Sequence, residues 1–70
     1  MRTREVMAVL RDLNPGKTYK TMRYNGWGAT RQIVEADGKG GWLHVAPINS
    51  NGIVDVRLLP DVTDYISSHY

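Results

Sequence analysis

Cysteine is absent from this chain, which excludes disulfides and thiolate-held metals and removes any cue to the redox compartment. Histidine is scarce: His44 and His69 are too few for a convincing metal site. No apolar run approaches the roughly 20 residues that carry a helix across a bilayer. The opening "MRTREVMAVLRDL" mixes charges of both signs and lacks a cleavage-site pattern, so no secretory leader is read there. These absences set the expectation of a soluble, cytoplasmic protein with no metal, no cofactor and no membrane contact.

The catalytic motifs are missing too. There is no Gly-x-Ser-x-Gly elbow, no H-E-x-x-H, no paired-carboxylate spacing and no G-x-x-x-x-G-K-[ST] loop. "GWGATR" and "DGKGG" hold closely spaced glycines, but without a βαβ context these suit turn geometry better than nucleotide binding. His44 stands between Leu43 and Val45 in a strand-like stretch and reads as a structural or exposed residue. No enzyme is expected.

What is present is a single small domain, residues 1–70, near the lower size limit for unaided folding. There are no repeats, low-complexity tracts or linkers. Thr3 is placed to cap a helix, with Glu5 in the first turn where a carboxylate suits the dipole. Val6, Val9, Leu10 and Leu13 follow the i, i+3, i+4, i+7 rule and make one apolar stripe. Pro15-Gly16 ends that helix and fits the centre of a type II turn. A strand follows over 18–24, and Asn25-Gly26 signals a two-residue hairpin that sets Tyr24 opposite Trp27 and Arg23 opposite Gly28. Residues 29–36 return as the second strand, centred on Ile33 and Val34, and "ADGKGG" turns the chain. "WLHVAP" reads as a third strand with Leu43 and Val45 on one face and Trp42, His44 and Ala46 on the other. After "INSNG", the alternation of Val54, Val56 and Leu58 with Asp55 and Arg57 predicts a fourth strand. Pro60 stops the sheet, and Asp61 caps a short last helix with a Val62, Tyr65, Ile66 stripe.

The fold class is therefore α+β: an N-terminal helix, a four-stranded antiparallel meander and a short C-terminal helix. A small SH3-like barrel with flanking helices is the alternative. The short αβββα outline is similar to that of the small toxin ribonucleases of the HicA type, which begin with a similar helix. Those enzymes rely on a Gly-Ser-His motif after the first strand, which has no counterpart here, and the chain is not assigned to them.

Charge supplies the functional pointer. Residues 1–31 carry seven basic side chains against Glu5 and Asp12, a net of +5. Residues 32–70 carry Lys39 and Arg57 against five acidic ones, a net of −3. Lys17, Lys20, Arg23 and Arg31 cluster on or beside the first hairpin, interleaved with Tyr19, Tyr24 and Trp27. A cationic two-stranded ribbon of this kind neutralises phosphates, and its aromatics can stack on unpaired bases. Arg2 and Arg4, on a mobile N-terminus, add further phosphate contacts. The expected function is nucleic-acid binding through this hairpin. The alternative is a protein-binding inhibitor or adaptor, of the phage or mobile-element accessory type, directed at a host protein through the same hairpin or through Asp55, Asp61 and Asp64. Self-association through an exposed strand edge would also suit so small a core.

Overall fold

The computed structural model describes residues 1–23 and 31–69. Helix α1 spans Thr3–Leu13, strands β1, β2 and β3 span Tyr19–Arg23, Arg31–Ala36 and Trp42–Ile48, a 3-10 turn covers Val56–Leu58, and helix α2 spans Pro60–His69. The strands form one antiparallel sheet in the order β1-β2-β3, with β2 in the centre. The class is α+β, with three strands among the described residues rather than four.

The stripe read from the sequence is the face by which α1 packs. Val6, Val9 and Leu10 are buried, and Leu13 lies against the same cluster. They meet Tyr19 of β1, Ile33 of β2, Ala46 and Ile48 of β3, and Val62 of α2, which closes the core with Tyr65 and Ile66 at its margin. Ile33 is the largest side chain with no exposure at all. Tyr65 also ties the two helices, its hydroxyl donating to Asp12 Oδ2 at 2.9 Å.

The anticipated fourth strand does not form. Ile53 makes a lone antiparallel bridge to Arg2 instead. Around it, Thr3 N donates to Gly52 O, Val54 N donates to Met1 O at 2.8 Å, and the Met1 ammonium donates to Val54 O. Gly52 O and the backbone of Val54 are thus satisfied by the first three residues, while Gly52 N and the backbone of Ile53 bond to Asn49, and the main sheet is left unextended. Downstream, Asp55 diverts the chain: its Oδ1 accepts from the Arg57 backbone N–H, and Leu58 N donates to Asp55 O. An Asp that bonds the backbone two residues on offers an alternative to a ladder, and here it wins. Val54 is buried as expected, whereas Leu58 is 56% exposed. The same pairing corrects the reading of a mobile N-terminus, because residues 1–3 are held by these bonds.

Local expectations shift for equally specific reasons. Thr3 is the first helical residue and its Oγ1 donates to Gly52 O, so it does not cap; Arg2 occupies the cap position without a side-chain bond. Residues 14–17 close a turn through Lys17 N and Asn14 O, but Gly16 lacks the positive φ of a type II turn. Asp61 sits inside the first turn of α2, which begins at Pro60. The predicted Asn25-Gly26 turn and the Tyr24–Trp27 pair lie outside the described residues. The last described rung, however, pairs Arg23 with Arg31, not with Gly28.

A β-bulge decides which way β3 faces. Ile33 pairs with Ala46 while Val34 pairs with His44, so Val45 is the extra residue. Ala46 is thereby carried to the helix side, where it is fully buried, against the simple alternation read from "WLHVAP". Val45 packs against the same core.

Both helices lie on one face of the sheet. The smallest extent of the Cα trace, 16 Å, is that of one sheet and one helical layer. On the other face Lys20, Val34 and His44 share one row across the three strands, and Met22, Gln32 and Pro47 share the next. With so few core residues, each carries a large share of stability. Ile33→Val is expected to lower unfolding free energy by about 0.5–1.5 kcal/mol, and Ile33→Ala by about 2–5 kcal/mol. The second figure approaches the roughly 3–10 kcal/mol expected for a domain of this length. Urea denaturation followed by far-UV circular dichroism measures both.

Candidate nucleic-acid interface

The cations singled out from the sequence do not gather on one ribbon face. Lys17 Nζ pairs with Glu35 Oε1 at 3.6 Å, at the end of the sheet away from the hairpin tip. Lys20 projects from the open face, its ammonium 4.1 Å from the Trp42 ring centroid. Arg23 and Arg31 oppose each other across the last rung and share the helix side with Thr21 and Ile33, as the period of two requires. Arg31 Nη2 donates to Thr21 Oγ1. Arg2 and Arg4 flank a shallow hollow with Glu5 and Asn51 beyond the N-terminus of α1. Tyr24 and Trp27 fall outside the described residues.

The arrangement that does assemble is a groove of about 480 Å³ between α1 and the hairpin end of the sheet. Arg4, Met7 and Arg11 line it from α1, at spacings of three and four residues that put all three on one helical face. Thr21 and Arg31 line it from β1 and β2, and Ile48 from β3. Three arginines thus line a groove shared with Met7 and Ile48, and among the described residues no carboxylate lines it. Neither these arginines nor Arg23 forms an ion pair among the described residues; the pairs present there are Lys17–Glu35 and Arg57–Asp55. Arg11 lies outside the set of site residues expected from the sequence. The signal that points to it is the seven-residue step from Arg4, which repeats a helical face over two turns.

Chemically, the groove suits an anion with several oxygens. Guanidinium forks match phosphate and carboxylate geometry, remain charged at any physiological pH, and give up hydration more readily than an ammonium. None of the described side chains in the groove serves as a general base or as a nucleophile activated by one. A larger hollow of about 670 Å³ lies between the end of β3 and residues 53–57. Its charged side chains, Asp55 and Arg57, are joined to each other: Arg57 Nε and Nη2 donate to Asp55 Oδ1 and Oδ2 at 2.9 and 2.8 Å. Hydrogen bonds from the Arg57 side chain and backbone hold the Asp55 carboxyl below its ordinary range. Burial, with Glu35 nearby, pushes the Tyr19 phenol up. Neither shift brings a proton-transfer group near neutrality. No group of three metal-ligating side chains occurs among the described residues, and none of their helices is long and apolar enough to cross a membrane.

Nothing among protein-family models, curated proteins or solved structures matches this chain. The site stands on its own geometry.

Like charges placed directly opposite on a sheet destabilise it by a few tenths to about 1 kcal/mol. Arg23→Thr is therefore expected to raise stability by a similar amount at low ionic strength, and the gain should shrink toward zero at molar salt, where screening acts within about 3 Å. Urea midpoints of the two proteins at both salt concentrations check this.

Proposed function

We propose that this chain is a non-enzymatic binding module that holds nucleic acid through its phosphates. The observation that carries the reading is the groove lined by Arg4, Arg11 and Arg31, with no carboxylate among its described residues. Arg23, opposite Arg31 on the adjacent strand, extends the same cationic surface. A polyanion entering here relieves the repulsion between these arginines and releases condensed counterions, which drives association. Thr21 supports the reading by orienting the Arg31 guanidinium through its hydroxyl. Lys17 contributes at the periphery, since its carboxylate partner already offsets its charge.

A second reading has its own support. Leu43 and Leu58 are more than half exposed, which suits a protein-directed inhibitor or adaptor contacting its partner through apolar side chains. Loss of a stoichiometric host partner on Leu58→Asp, with the arginine variants still bound, would favour it.

Fluorescence anisotropy of labelled duplex and single-stranded oligonucleotides across a salt series tests the first. Affinity is expected to fall steeply as salt rises. Replacing Arg4, Arg11 and Arg31 by Gln should weaken binding and lower the log–log salt slope by about 0.7–0.9 for each phosphate that is no longer neutralised. Absence of binding even at low ionic strength overturns the proposal.

A further inference from the structure

We infer that the nucleic acid this module takes is single-stranded, passing round the β1 edge so that its phosphates lie on the arginine groove and an unpaired base stacks on Trp42. This rests on the nucleic-acid reading above and adds the class of ligand. It starts from the alternation of β1, an edge strand. Thr21 and Arg23 face the helix side with the groove, while Lys20 and Met22 face the opposite, open side. Cationic side chains therefore leave the same strand on both faces of a molecule whose Cα trace is only 16 Å deep.

The open face is built like a stacking platform. Among the described residues no helix covers this side, and Trp42 remains 37% exposed on it. The Lys20 ammonium lies over this ring, 4.1 Å from its centroid, so a stacking base takes the place of the ammonium and leaves its charge at the base's edge for the adjoining phosphate. Nearby on the same face, His44 Nδ1–H donates to Gln32 Oε1 at 2.7 Å. Val34, between Lys20 and His44 in the register, is only 2% exposed. None of the side chains that the register puts on this face is acidic. An indole that already accepts a cation on its face, with no carboxylate on that side of the sheet, is complementary to an unpaired base and its phosphate.

Duplex fits one of the two faces but not both. Its bases are already stacked on one another, and a persistence length of about 150 base pairs forbids it to turn round a slab this thin. A single strand has free base faces and a flexible backbone, so it alone can bridge the groove and Trp42 by way of Lys20 and Arg23.

The test uses the unsubstituted chain, for affinity, beside its Trp27→Phe form, which leaves Trp42 as the one indole for emission. Both are titrated with single-stranded DNA, single-stranded RNA and the corresponding duplex, while tryptophan emission and anisotropy are recorded together. Expected are quenching of Trp42 by a single strand in step with binding, and weaker duplex binding with unchanged emission. Trp42→Leu should weaken single-strand binding roughly 5- to 100-fold and leave the duplex salt slope unaltered, and Trp42→Tyr should restore most of the affinity. The quenching readout keeps the inference open to refutation if the leucine variant unfolds. Duplex binding as tightly as single strands, or single strands binding without quenching, overturns the inference and leaves the arginine groove standing. No binding by any nucleic acid overturns both.

Discussion

The fold depends on the centre of β2, where two neighbouring side chains are both withdrawn from water. Ile33 and Val34 are consecutive β-branched residues pointing to opposite faces, and both are almost wholly buried. On one side α1 and α2 supply the cover. On the other no helix or second sheet lies among the described residues, and Lys20 and His44 flank Val34 in the register. The two halves differ in kind. The first is an apolar core of close-packed side chains; the second carries Lys20, Gln32, Trp42 and His44, polar and aromatic side chains, on the same face as Val34. Because β2 is central, its register with both neighbours sets the geometry of everything else, including which residues of β1 reach the arginine groove and which reach Trp42.

The N-terminal helix is legible from its period alone, since four apolar residues at i, i+3, i+4 and i+7 have no other economical use in a short chain. The three observed strands are legible in position, because β-branched and aromatic residues are bounded there by Pro-Gly and glycine-rich turns. The fourth is not, because alternation is a statement about side chains, whereas strand formation also needs a ladder partner. The first three residues take Gly52 O and the backbone of Val54, Asn49 takes that of Ile53, and the Asp55 carboxylate and carbonyl take the next N–H groups. Nothing in the local sequence announces a competitor fifty residues away. The face of Ala46 is hidden for a related reason: a bulge inserts one residue, and period-two reasoning has no register for it.

The site shows the same division. That the N-terminal half is cationic can be counted directly, but the count does not show which cations meet. Lys17 and Lys20 are drawn to Glu35 and Trp42, and the groove forms instead from two helix arginines and one from the sheet. Arg4 and Arg11 sit seven residues apart on a helix whose other face is the apolar stripe, so their common exposure is implicit in the stripe. Their meeting with Arg31 depends on the packing of α1 against the hairpin, and on a register that pairs Arg23 with Arg31.

The bulge at Val45 has a colloidal consequence as well as a geometric one. β3 is an edge strand carrying exposed Trp42 and Leu43, which makes it the natural template for intermolecular pairing in a protein with so small a core. Two features interrupt that template within three residues. The extra residue breaks the even spacing of the ladder, and Pro47 has no N–H to offer an incoming strand. The irregularity that turns Ala46 into the core thus also roughens the outer edge, a feature that disfavours edge-to-edge pairing between copies.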